Sequence, residues 1–140
     1  MSTDAIIKDV GSFDALPKFD AVALFHEIDR CSDELLDRVD FGVIGFDHLG
    51  KVRRYNAIES KLAGLAASSV LGNHLFEAVA PCMNNFMVAH QFQEAIEHGQ
   101  DLDVELDYVL TLRMRPQRVK LRLLAQRNVA MRYILVRRNF

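Results

Sequence analysis

Three side chains are placed where they could do chemistry together. Cys82 sits in FEAVAPCMNNF (residues 76–86), directly after Pro81 at the end of a small apolar run, and it is one of only two cysteines in the chain. A thiol there can be core filler, a nucleophile or an attachment point, since the thiolate is a good acyl acceptor at modest pH. Tyr55 and Glu59 in YNAIE are four residues apart, about one helical turn, so a phenol and a carboxyl can face the same pocket. Each also has a plainer reading: Tyr55 as a core aromatic at a strand end, and Glu59 as the reciprocal partner of Asn56 in a capping box. The five histidines, His26, His48, His74, His90 and His98, contain no i, i+4 pair of metal-site type. His90 and His98 share a polar helix side with Glu94 and Glu97. A cysteine hydrolase needs a histidine partner; His74 is nearest in sequence, and nothing else supports a triad. No glycine-rich phosphate loop occurs, so the reading is not an enzyme.

These residues need elements to hold them. FGVIGFDHLGKVRRYN (41–56) reads as a hairpin with a DHLG turn, in which Gly50 supplies positive φ. Asn56 opens a helix that Gly64 ends. Residues 65–81 read as short turns and helical pieces. FMVAHQFQEAIEH (86–98) predicts an amphipathic helix with Ala89, Phe92 and Ile96 on one face and Gly99 as its stop. LDVELDYVLTLRM, RVKLRLLAQ and MRYILVRR alternate as three strands, with turns at Arg115-Pro116-Gln117 and Arg127-Asn128. Upstream, residues 1–19 form a loose lead-in. From Asp20 to Val39 the pattern is helical, with Val22, Phe25, Ile28, Leu35, Leu36 and Val39 on the apolar side and Ser32 capping a second short helix. Cys31 lies at that junction as a small buried hydrophobe. The expected fold is α+β: a central, mostly antiparallel sheet, helices on one face, and an N-terminal helical segment. That segment is expected to cover the sheet's outer face.

The chain has 140 residues, half of them hydrophobic and 26% charged, which suits a globular domain. No run approaches a membrane span, and the N-terminus does not resemble a signal peptide. A cytoplasmic location follows, with reduced thiols. The net charge is only −2, yet residues 113–140 carry 9 of the 17 bases and none of the 19 acids. Because these bases alternate with apolar residues, they read as the solvent face of a sheet and not as a nucleic-acid surface.

The hairpin, the Asn56 helix and the spaced glycines of residues 41–82 resemble the core of a PAS domain. YNAIE together with VAPC (79–82) resembles, more specifically, the photoactive yellow protein family, and the similarity continues through Tyr108, Met114, Pro116 and the last two strands. The resemblance implies a blue-light photoreceptor carrying 4-hydroxycinnamic acid (p-coumaric acid) as a thioester on Cys82. Tyr55 and a protonated Glu59 would then donate to its phenolate, and desolvation in an apolar site favours the protonated carboxyl. It also implies signalling by isomerisation, proton transfer from Glu59 and partial unfolding, from a monomer or weak homodimer to a downstream signalling protein. Residues 1–40 would form an N-terminal helical cap and 41–140 the PAS-like domain. The chain departs from the family pattern at Ala63, where a threonine is usual, and at Leu65, where an arginine is common. Leu110 and Leu112 stand in place of aromatics. A PAS interaction or ligand-sensing module without this chromophore is the alternative.

Overall fold

The computed structural model describes residues 16–111 and 116–138. Two short helices come first, α1 (Leu24–Arg30) and α2 (Asp33–Leu36), followed by the hairpin strands β1 (Gly42–Phe46) and β2 (Val52–Tyr55). Helices α3 (Ala57–Ala63) and α4 (Ala67–Val70) lead to a π-helical turn, Leu75–Val79, and a 3-10 turn, Pro81–Met83. Helix α5 (Ala89–Glu97) then precedes β3 (Leu102–Leu110), β4 (Gln117–Ala125) and β5 (Arg132–Arg137). The strands form one sheet in the order β2-β1-β5-β4-β3. Every neighbouring pair is antiparallel.

The sheet is covered on both faces. Alternation along β1 and β5 sends Ile44, Phe46, Ile134 and Val136 to one side, where Leu75, Met83, Val88 and Phe92 pack on them. Val43, Tyr133 and Leu135 point the other way and meet Phe19, Leu24, Phe25, Ile28 and Leu36. The N-terminal segment thus lies on the face expected for it.

Val22 does not belong to that apolar side: it is 89% exposed. The cause is upstream of the helix. Arg122 donates to the carbonyls of Phe19 and Ala21, both at 2.7 Å, and holds the chain ahead of the helix. Ala23 takes a left-handed φ of 55°, and α1 begins only at Leu24. Ser32 does cap α2, its hydroxyl oxygen accepting from the Leu35 N–H at 3.1 Å. Helix α5 also begins later than residue 86. Asn85 Oδ1 accepts from the Met87 and Val88 N–H groups and holds residues 86–88 as a turn, and the helix starts at Ala89 without a side-chain cap. Its inward side chains are Phe92 and Ala95, whereas Ile96 is 50% exposed, correcting the expected face. His90 and His98 both lie against Glu94 on its polar side.

The basic C-terminal stretch finds partners within the fold. Arg122 forks onto Asp103, Lys120 lies near Glu105 and Asp107, Arg127 near Asp101, and Arg137 meets Asp20. The basic strands therefore pair largely with acidic β3 and with the N-terminal segment. Among the described residues, no helix is long and apolar enough to cross a membrane. Leu112, Met114 and Arg115 lie outside the described residues.

Candidate functional site

Asn56 is the hinge on which Tyr55 and Glu59 are hung. Its side chain is 3% exposed and makes four bonds. Oδ1 accepts from the N–H groups of Glu59 (3.2 Å) and Val43 (2.9 Å), and Nδ2 donates to the carbonyls of Leu36 (2.8 Å) and Phe41 (3.0 Å). The N-cap reading holds, and Gly64 closes α3 at φ 74°. The reciprocal half of the capping box does not form: the Asn56 N–H donates to the Val43 carbonyl, and the Glu59 carboxylate turns inward.

That inward turn needs Gly42. A Cβ at position 42 would stand 2.0 Å from Glu59 Oε1, so only glycine leaves room for the carboxylate against β1. Glu59 is 1% exposed, as an apolar setting would have it, yet it is not alone there. Arg138 forks onto it, Nη1 to Oε1 at 2.7 Å and Nη2 to Oε2 at 3.1 Å, from a side chain that is itself 7% exposed. Arg138 Nε donates to Gln117 Oε1 at 3.0 Å, so the guanidinium is held from behind by β4. Strand alternation explains the arrival: Ile134, Val136 and Arg138 follow one another on the same face, while Arg137 goes to the other and lies over the Phe19 ring.

Tyr55 and Leu65 pack on the same core cluster. Burial raises the Tyr55 phenol well above its ordinary value, the negative charge of Glu59 adds to this, and Arg138 opposes it. Tyr55 is thus a neutral hydroxyl donor at any physiological pH, and among the described residues that hydroxyl has no hydrogen-bond partner. Ala63 is buried at the end of α3, and Leu110 is buried in the core.

Cys82 is half-buried on this face too, in the 3-10 turn that Pro81 opens. Its backbone is pinned: the Tyr108 hydroxyl and Asn85 Nδ2 both donate to the Cys82 carbonyl. Cys31 belongs to the opposite face, against the N-terminal core, where burial pushes its thiol up. The two thiols are therefore separated by the sheet, and the one on the Tyr55 side is Cys82.

Tyr55, Glu59 and Cys82 thus share one face of the sheet. Three residues of the arrangement were not singled out from sequence. Asn85 carried a signal, being a cap-type residue directly before an amphipathic helix. Tyr108 was noted only for resemblance. Arg138 was absorbed into a basic strand.

A five-stranded antiparallel sheet in this order, with short helices between β2 and β3 enclosing polar side chains on one face, defines a PAS-type sensory domain. No protein-family model matches the chain. Photoactive yellow protein of Halochromatium salexigens is 38% identical over 89 residues, spanning 64% of this chain and 70% of that protein. Photoactive yellow protein of Rhodothalassium salexigens is 34% identical over 88 residues, spanning 63% and 70%. The crystal structure of the photoactive yellow protein domain from the sensor histidine kinase Ppr of Rhodospirillum centenum superposes with a TM-score of 0.73 at 32% identity, covering 80% of this chain and 97% of that one. The chain belongs to the photoactive yellow protein family, whose members are photoreceptors.

Proposed function

We propose that the protein is a non-enzymatic blue-light photoreceptor that carries a 4-hydroxycinnamoyl group as a thioester on Cys82 Sγ. The observation that carries this reading is the shared face: a half-buried thiol, a neutral Tyr55 hydroxyl with no partner among the described residues, and a buried Glu59 seated in the space left by Gly42. These donors suit an anionic ring oxygen, because a buried anion needs strong donors to offset its lost hydration. When bound, the group supplies absorption of blue light and isomerisation of its double bond.

The chain's own residues do the rest. Cys82 attacks as thiolate an activated ester or thioester of the acid; the new S–C bond forms, the bond to the leaving group breaks, and the thiol proton goes to solvent. Tyr108 and Asn85 hold the Cys82 backbone while this happens. Tyr55 donates its hydroxyl hydrogen bond and keeps its proton. Glu59 is the second donor and the group that gives up a proton after illumination. A carboxylate stranded alone in the core would cost several kcal/mol, comparable with the stability of a small domain. Here Arg138 stands 2.7 Å away and offsets part of that cost. The structural response should therefore be local and fall on the peripheral N-terminal segment. Free thiols at Cys31 and Cys82 suit a reducing cytosol, with an as yet unnamed signalling protein downstream.

Supplying the purified protein with an activated hydroxycinnamate tests the reading. A yellow protein with one adduct by intact mass, lost in Cys82→Ser, is expected. An uncoloured protein, or an adduct mapped to Cys31, would refute it.

A further inference from the structure

The Arg138–Glu59 fork goes beyond the attachment site and the two donors. It is a fully formed ion pair, 7% and 1% exposed, with the guanidinium's third direction fixed by Gln117. Among the described residues, the titratable or charged groups facing Glu59 are Tyr55 from β2 and Arg138 from the end of β5. Tyr55 is neutral, so the buried end of the site holds one cation and one anion. A second anion cannot enter at low cost unless a proton comes with it, because two buried anions would share a single counter-charge.

We propose that Arg138 is a positioning residue for this site: it holds Glu59 as a carboxylate, and Glu59 becomes protonated only when the ring hydroxyl of the ligand enters beside Tyr55 and, as a phenolate, claims the guanidinium. The identity of that oxygen rests on the chromophore reading; the pair itself does not. The ring hydroxyl arrives neutral at about pH 7; its O–H bond breaks, its proton passes to the Glu59 carboxylate, and the net charge of the site is unchanged. Glu59 is then a protonated donor because the ligand makes it so, not because its surroundings are apolar.

Infrared difference spectroscopy of the carboxyl stretch, with Glu59→Gln to assign the band, reads this directly at neutral pH. Protein without chromophore should show no protonated Glu59. Arg138→Gln should show the band before any loading, since an unpartnered buried carboxylate neutralises, and Arg138→Lys, which keeps the charge, should not. Loading the wild type with activated hydroxycinnamate should bring the band up, about one Glu59 proton per adduct. A protonated Glu59 in unloaded wild type, or a Glu59 that stays ionised on loading, overturns the proposal, and so does an unloaded Arg138→Gln without the band. Should Arg138→Gln not fold, the wild-type spectra alone decide. Failure of Cys82 to take an adduct would refute the chromophore reading and leave the unloaded spectra as the test of Arg138.

Discussion

Arg138→Met is the most informative perturbation of stability. The side chain keeps most of its apolar stem but loses the guanidinium and its charge, so Glu59, 1% exposed, is left without a counter-ion. Breaking a buried pair from one side costs about 3–5 kcal/mol. There is a ceiling, however, because Glu59 can escape by taking a proton. For an ordinary glutamate with reference value near 4.3, protonation at about pH 7 costs roughly 3.7 kcal/mol, and at about pH 5 only about 1 kcal/mol. The variant should therefore lose about 3–4 kcal/mol near pH 7 and only about 1 kcal/mol near pH 5. The sign follows from linkage: without the cation the folded state binds the proton more tightly than the unfolded chain, so stability falls as pH rises above the unfolded value. Urea unfolding measures it. With a slope of about 2 kcal/mol per molar, the midpoint near pH 7 should drop by roughly 1.5–2 M. Adding Glu59→Gln to Arg138→Met should recover most of the loss, because the unpaired charge is then gone. A loss below about 1 kcal/mol near pH 7, or an equal loss at both pH values, would refute the view of this pair as a buried, mutually dependent unit.

Asn56→Ala removes the cap of α3 and four buried hydrogen bonds at once. It should cost about 2–4 kcal/mol by urea unfolding, and a cost below about 1 kcal/mol would contradict the hinge role. In the chromophore-loaded protein, light should speed hydrogen exchange in residues 20–39 more than in the central strands. Arg54→Ala should loosen the same segment in the dark, and equal protection in light and dark would exclude the first expectation. Ala63→Thr combined with Leu65→Arg adds a hydroxyl and a second cation near the ring oxygen. The acid midpoint of the dark absorption spectrum should then fall, by about one unit if each contributes like a second-shell bond; an unchanged or raised midpoint would refute that account of the two positions.

What was legible in the sequence follows from the range of the interactions. The hairpin, its Asp47–Gly50 turn and the Asn56 cap are made by residues within a few positions of one another. They appear where the local pattern puts them. The three alternating runs do form β3, β4 and β5, but only β3 keeps an exposed face; β4 and β5 are buried at consecutive positions because the N-terminal segment covers the sheet's second face. The failures are long-range. Val22 is turned out ahead of a left-handed Ala23, in a stretch that Arg122, about a hundred positions later, holds by the carbonyls of Phe19 and Ala21. The fate of the Glu59 carboxyl is decided by a guanidinium 79 positions away. No window of sequence contains both groups. Alternation did place Arg138 on the inward face of β5, but a basic residue at a strand end reads as solvated until a buried acid is known to wait for it.

The sheet separates the two regions that a light signal would have to join, and the separation is one pleat deep. In β2, Tyr55 belongs to the face that also carries Cys82. Its neighbour Arg54 reaches the other side and donates to the carbonyls of Ile28 and Cys31, to Asp33 and to the Tyr133 hydroxyl, which in turn donates to Asp29. At the end of β5 the pattern repeats: Arg138 grips Glu59, and Arg137 grips Asp20 and covers Phe19. Consecutive residues in a strand share a backbone, so a shift that re-aims Tyr55 or Arg138 also displaces the anchor beside it. Those anchors hold helix ends and carbonyls of the N-terminal segment, alongside Arg122 on the Phe19 and Ala21 carbonyls and Asn56 on the Leu36 carbonyl. A change of charge at Glu59 therefore needs no long chain of contacts to reach the N-terminal helices; two peptide units suffice. The exchange rates of residues 20–39 in Arg54→Ala, measured in light and dark, test this coupling. If light still loosens the segment by the same factor without Arg54, the β2 route is excluded and the Arg137–Arg138 pair is left to carry it.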